Sequence, residues 1–262
     1  DRRGVSANSS DMLEISFIPA FKDNYIWLLV RGRHAAVVDP GDAAPVDAAL
    51  TARGLALDAI LVTHHHGDHQ GGVVALADRW QSAVFGPASE SITGCTQPLL
   101  GGERIVVLEQ EFEVLAVPGH TLGHLAYLMP GAAFVGDTLF GAGCGRLFEG
   151  TPGQMAASLA RLVALPPETR VYCAHEYTAA NLEFALAVEP ENPAIVRRRA
   201  RVAEMRRRGE ATVPLDLAEE LATNPFLRCD HPAVKRAAIA RNPAAADGVG
   251  VFAAIREWKN VF

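Results

Sequence analysis

Residues 61–72 read LVTHHHGDHQGG, and within six positions of that stretch stand His64, His65, His66, Asp68 and His69. Crowding imidazoles and a carboxylate costs desolvation energy unless something compensates it, and a metal ion is the usual compensation. His64 and His66 are two apart, so in an extended loop their rings can face the same way. Asp68 and His69 follow after a turn at Gly67. Three more candidates each close an apolar run: His120 in VLAVPGHTLGH, Asp137 in AAFVGDTLF and His175 in RVYCAHEYT. A catalytic metal takes about three protein ligands and keeps one position open. Seven candidates, His64, His66, Asp68, His69, His120, Asp137 and His175, therefore suffice for two metals. A carboxylate has two oxygens, so Asp137 can bridge them. Imidazole with carboxylate suits zinc, iron or manganese rather than copper(I) or calcium. His65 should point away from its neighbours and support them. His124 reads as structural or supporting, and His34 and His231 as ordinary structural histidines.

These residues need a scaffold that delivers them to one place. Up to about residue 175 the chain alternates short β-rich runs, such as YIWLLV, HAAVVD, AILVT and RVYCAH, with Gly, Pro and Asp punctuation. Helical patterns are interleaved. The clearest, TPGQMAASLARLVAL, has Thr151 as a cap, Pro152 at the first helical position and Gln154 to close a capping box. Each candidate ligand then falls in a loop at a strand's carboxyl end, where α/β folds place ligands. After residue 176 strands are no longer expected. Helices are read in TAANLEFALAV, in AIVRRRARVAEMRRRG (opened by Asn192 and Pro193 and closed by Gly209), and in DLAEELA, AVKRAAIAR and VFAAIREWK. The arginines of 197–208 read as a solvated face.

The 262 residues are 49% hydrophobic and 21% charged, ordinary for a globular chain that can bury a sizeable core. A net charge of -6 argues against a nucleic-acid surface, and it means that an anionic substrate needs a local cationic pocket. The four cysteines form no C-x-x-C pair, which argues against a zinc ribbon and a disulfide scaffold and for reduced thiols in the cytoplasm. No apolar run reaches about 18 residues, so no membrane span is expected. Residues 1–12 lack an apolar signal core and read as a flexible leader.

THHHGDH, preceded by VVDPGD at 37–42, resembles the metal signature of the metallo-β-lactamase superfamily. IPAFKDNYIW, PGHTLGH, GDTLF, GCGRLFEGT, AHEYT, NPFLR and the terminal FAAIREWKNVF extend the resemblance to glyoxalase II from Leu13 to Phe262. The resemblance implies an α/β fold: a four-layer αββα sandwich over 13–176 with an all-helical, glutathione-binding domain over 177–262. It implies one metal on His64, His66 and His120, a second on Asp68, His69 and His175, and Asp137 with a water between them. Asp39 would support rather than ligate. Zinc is the first expectation for both metals. Arg146, Phe148, Tyr177, Arg256 and Lys259 match positions that hold glutathione. Phe148 stands where some members have tyrosine, so that hydroxyl is missing. Arg146 stands where some have lysine, which keeps the charge.

The implied reaction is metal-dependent hydrolysis of S-D-lactoylglutathione to glutathione and D-lactate, the second step of methylglyoxal detoxification. The expected partner is this small thioester alone, and the expected state a monomer. The competing reading is a glutathione persulfide dioxygenase with a single iron and fewer ligands. A zinc β-lactamase usually lacks a histidine directly after the motif's aspartate, a nuclease is disfavoured by the charge, and a metal store needs no cationic pocket.

Overall fold

The computed structural model describes residues 12–262. The proposed leader therefore lies, but for Met12, outside the described residues. Two six-stranded sheets form the centre. The first holds β1 (Glu14–Ala20), β2 (Asn24–Arg31), β3 (His34–Val38), β4 (Ala56–Leu61), β5 (Ala83–Pro87) and β6 (Gln97–Leu99) in that order. Between these strands run α1 (Ala43–Arg53), the single turn α2 (Gly67–Gln70) and α3 (Val73–Trp80). The second sheet begins with β7 (Arg104–Val107), β8 (Gln110–Ala116), β9 (Leu125–Met129) and β10 (Ala132–Gly136). After a small hairpin, β11 (Leu139–Phe140) with β12 (Gly143–Cys144), come α4 (Pro152–Val163), β13 (Arg170–Cys173), α5 (Thr178–Val188) and α6 (Pro193–Arg207). The chain closes with β14 (Leu215–Asp216), α7 (Leu217–Thr223), α8 (Pro232–Arg241) and α9 (Gly248–Val261).

Tyr25, Trp27, Leu29, Val38 and Leu61 of the first sheet share one core with Phe112, Val114, Tyr127 and Phe134 of the second. On its other face the first sheet packs Ile26, Leu28, Val37 and Ile60 against Val46 and Leu50 of α1 and Val73 and Leu76 of α3. Met155 and Leu159 of α4 and Phe184 of α5 join the core of the second sheet. The layers thus run helix, sheet, sheet, helix, as the resemblance implies. Between Asn24 and Arg31, strand β2 is a continuous apolar run, YIWLLV, because both of its faces are covered.

Strand direction gathers the site. β3 runs parallel to β4, and β2 antiparallel to β3, so the carboxyl ends of β3 and β4 share a rim with the start of β2. β10 runs parallel to β13, and two antiparallel steps make β8 run the same way. An antiparallel bridge between Asn24 and His175 joins the two rims. Tyr25 N–H donates to Ala174 O at 2.7 Å, and Glu176 N–H to Asp23 O at 3.0 Å.

The capping box of α4 forms with Thr151 and Gln154, Asn192 caps α6, and Gly209 takes the left-handed φ of 71° just beyond that helix. Two expectations fail. Strands do not stop at residue 176: β14 pairs antiparallel with β13, because the outer edge of β13 would otherwise leave its polar backbone unpaired. Nor are the arginines of 197–208 all solvated. Arg198 is buried, ion-paired with Glu220, and donates to Thr223 Oγ1 at 2.7 Å. The other oxygen of Glu220 accepts Ala142 N–H, so this pair also ties the β11–β12 hairpin to the helices. Arg198→Ala leaves a buried carboxylate uncompensated and is expected to cost about 3–5 kcal/mol of stability. Arg199→Ala, which breaks an exposed pair with Glu183, should be nearly neutral. Urea unfolding of the two variants side by side checks the contrast.

Candidate active site

All seven ligand-type side chains meet at the shared rim. His64 and His66 follow β4, Asp68 and His69 lie on α2, His120 follows β8, Asp137 follows β10 and His175 follows β13. The turn into α2 is tight: a Cβ at Gly41 would fall on the carbonyl of Asp68, so this position admits only glycine.

The ring nitrogens are oriented by what each imidazole does with its other side. Asp39, held in the left-handed region at φ 54°, accepts from Thr63 N–H and Thr63 Oγ1–H, both at 2.7 Å, and from His69 Nδ1 at 3.0 Å. His64 Nδ1 lies 3.0 Å from Thr63 Oγ1, which accepts its proton. His120 Nδ1 donates to the carbonyl of Arg146 at 2.8 Å, and His175 Nδ1 to Asp23 at 2.8 Å. Each of these four rings therefore turns Nε2 inward, as a supporting hydrogen bond fixes the ligating nitrogen of a metal-bound histidine. Asn24 Nδ2 donates to Asp68 Oδ2 at 3.0 Å.

Two trios result. His64 Nε2 and His120 Nε2 each lie 3.1 Å from His66 Nδ1. Asp68 Oδ2 is 3.3 Å from His69 Nε2 and 3.4 Å from His175 Nε2. Asp137 stands between them, with Oδ1 3.5 Å from His69 Nε2 and Oδ2 3.4 Å from both His120 Nε2 and His175 Nε2. Burial pushes His64 and His120 below the ordinary imidazole value, leaving neutral rings with free lone pairs. Burial opposes charge on His69 and His175 as well, but the neighbouring carboxylates, Asp137 with Asp39 at His69 and Asp137 with Asp23 at His175, together raise both. Burial opposes the anion of Asp137 in turn, yet His69 and His175 hold it well below the carboxylate range. The buried His69 Nε2 and Asp137 Oδ1 have no hydrogen-bond partner. Unpartnered lone pairs facing one another are the donor set a divalent cation would satisfy, so the residues fit a divalent metal site.

The trios open into a cleft of about 730 Å³ that also reaches Arg146, Phe148, Tyr177, Arg256 and Lys259. Tyr177 stacks on His175 with ring centroids 4.7 Å apart. Phe148, 60% exposed, sets its edge against His66 and His120 at 5.5 and 5.3 Å. Among the described residues Arg146, Arg256 and Lys259 have no carboxylate partner within ion-pair distance. Burial, then the charges of Arg256 and Arg146, lowers the ammonium of Lys259. Three cations held together without an acid form an anion site. Arg256 is less free than its spacing from Lys259 suggests: it is buried, donates to the carbonyl of Cys144 at 2.8 Å and lies 5.1 Å over Phe226.

His65 turns outward, 2.6 Å from Glu149, and His124 stays neutral through burial and accepts Asp137 N–H at 3.1 Å, so both support the site. His34 pairs with Asp58 at the surface and His231 caps α8. Sequence reasoning assigned no role to Asp23 and Asn24, which hold His175 and Asp68, although KDN, a polar stretch directly ahead of the apolar run YIWLLV, carried a signal.

Residues 21–175 match the model of the metallo-beta-lactamase superfamily, and residues 176–262 that of the hydroxyacylglutathione hydrolase C-terminus. The chain is 62% identical to the hydroxyacylglutathione hydrolase of Dechloromonas aromatica, over 96% of this chain and 100% of that protein. It is 55% identical to that of Methylobacillus flagellatus, again over 96% and 100%. Among solved structures, ETHE1 from Myxococcus xanthus aligns with a TM-score of 0.64 at 25% identity, covering 95% of this chain and 99% of its own. TTHA1623, crystallised in a di-iron-bound form, gives 0.53 at 32% identity over 60% of this chain and 90% of its own. Rim, cleft and both halves of the sequence agree, and the chain belongs to the hydroxyacylglutathione hydrolase family of the metallo-beta-lactamase superfamily.

Proposed function

We propose that the chain is a glutathione thioesterase that uses two divalent metals to convert S-D-lactoylglutathione and water into glutathione and D-lactate. The observation that carries this reading is the opening of two ligand trios and an unpaired cationic cluster into one cleft. His64, His66 and His120 would hold one metal and Asp68, His69 and His175 the other, with Asp137 placed between the two trios. Zinc is the first candidate, and iron and manganese also suit the donors. The di-iron form of a relative supports a pair rather than one ion. A single-iron persulfide dioxygenase would leave one trio without a role.

Two divalent metals held there would supply Lewis acidity and lower the pKa of a water at the site. Asp68 and Asp137 would orient the attacking water, and its proton would pass to the solvent or the departing thiolate. Arg146 and Lys259 bind the carboxylates of the glutathione portion, with the buried guanidinium of Arg256 behind them and the ring of Tyr177 as a wall. Phe148 offers an apolar surface without a hydroxyl. As water oxygen joins the acyl carbon the C–S bond breaks, and glutathione leaves as a thiolate. A thiolate with a pKa near 8.5 is a good leaving group, so no strong acid is needed beside it. The cleft offers no nucleophile of its own: burial pushes the Cys144 thiol up. All cleft residues come from one chain, so a monomer suffices. Among the described residues no helix could cross a membrane, and all four cysteines are free, which supports a cytoplasmic setting rich in glutathione.

Elemental analysis should find two metals per chain, and Asp137→Ala should lose one of them with most of the rate. Protons and metal compete for the same nitrogens. His69 and His175 are raised above the ordinary imidazole value, so below that raised range they are protonated and the Asp68 trio weakens. His64, His66 and His120 are lowered and stay neutral further into acid. Dialysis at stepwise lower pH should therefore release one equivalent before the other.

Charged contacts contribute about 1.5–3 kcal/mol each. Those of Arg146 and Lys259 lie far from the reacting carbon, so most of the loss should appear in KM rather than kcat. Arg146→Ala with Lys259→Ala should raise KM roughly tenfold or more, and leave hydrolysis of a small thioester lacking the glutathione carboxylates unchanged. Arg256→Ala should cost stability as well, because it frees the Cys144 carbonyl. Steady-state kinetics on both substrates and thermal unfolding separate these effects.

A further inference from the structure

His65 lies between two ligands and yet is itself fully engaged. Its N–H donates to Glu90 Oε2 at 2.7 Å, its carbonyl accepts from Gln70 Nε2 at 2.5 Å, and its ring Nε2 lies 2.6 Å from Glu149 Oε1. Both carboxylates have their second oxygen on the opposite loop: Glu90 Oε1 accepts Gly123 N–H at 2.8 Å and Glu149 Oε2 accepts Leu122 N–H at 2.9 Å. The loop that follows β4 carries His64 and His66, and the loop that follows β8 carries His120. They spring from different sheets, and one backbone bond, Leu125 N–H to Thr63 O at 2.8 Å, joins them beside His64. A Cβ at Gly123 would run into Ser89 and Glu90, so the loop and the acid are closely fitted.

We infer that Glu90 and Glu149 form a carboxylate clamp, with His65 as its strut, that sets the distance of His120 from His64 and His66. Each acid bridges the same two loops, one through the main chain of His65 and the other through its ring. Nitrogen–metal distances must hold to about 0.2 Å, a tolerance that the single Leu125–Thr63 backbone bond would not keep alone. Glu90 and Glu149 are thus positioning residues for one trio, while Asp68, His69 and His175 are oriented by Asn24, Asp39 and Asp23. The inference rests on the two-metal reading above.

The experiment is a zinc titration of chelator-stripped protein against a chromophoric competitor, with apo-protein melting measured on the same samples. The wild type should take two equivalents. Glu149→Ala should weaken one of them by about 10- to 100-fold, the usual effect of removing a ligand's supporting partner, and leave the other within about threefold. Glu90→Ala should do the same. Glu149→Gln, which can still accept from Leu122 N–H and donate to His65 Nε2 in the ring tautomer that carries its proton on Nδ1, should recover most of the loss. A general loss of structure would instead lower both affinities and the apo melting temperature together, and that outcome would overturn a specific clamp. So would two unaltered affinities in both alanine variants. If the wild type takes up no zinc, the two-metal reading fails and takes the clamp with it, a result distinct from failure of the clamp alone.

Discussion

Five imidazoles and two carboxylates turned towards one another inside a protein carry a cost that divalent cations shared among them would offset. Neutral imidazole lone pairs repel at close range, and a carboxylate as buried as Asp137 cannot exchange its lost hydration for hydrogen bonds it does not make. Everything around the rim serves to keep the donors aimed despite that cost. Asp39, Asp23, the Arg146 carbonyl and Thr63 each take one imidazole proton, and so decide which nitrogen faces inward. Asp39 does this from the left-handed backbone region, a conformation that non-glycine residues adopt only where the surroundings impose it.

Neither sheet could build the site alone. The first contributes His64, His66, Asp68 and His69, and the second His120, Asp137 and His175. The sheets share a dry core of aromatic and branched side chains, with Trp27 edge-on to Tyr172 at 4.8 Å and its indole N–H on the carbonyl of Cys173. At the rim that core gives way to backbone bonds between Asp23–Tyr25 and Ala174–Glu176. The packing sets the spacing of the sheets, and the rim bonds set their register at the point where register matters.

The sequence makes the donors legible because histidine and aspartate at strand ends have few other uses at that density. The α4 cap and most helices are legible for a similar reason: capping and amphipathic spacing are local. What the sequence hides is contact at a distance. Asp23 reaches His175 across 152 positions, and Asn24 reaches Asp68 across 44. Arg198 sits in a run of arginines that looks uniformly solvated, and only the packing of α6 on α7 singles it out for Glu220. Strand β14 is two residues long, too short for any periodic pattern. The burial of Arg256 was likewise invisible, because a helix position shared with Lys259 says nothing about what covers it.

Arg146 serves the site twice, by two parts that are chemically independent. Its carbonyl steadies His120, while its side chain belongs to the mouth of the cleft. The carbonyl is common to every residue type, so the steadying is indifferent to what stands at position 146. The side chain at the mouth can therefore change by ordinary substitution while the hydrogen bond to His120 is kept. One residue becomes a hinge between a part of the enzyme free to vary and a part that is not.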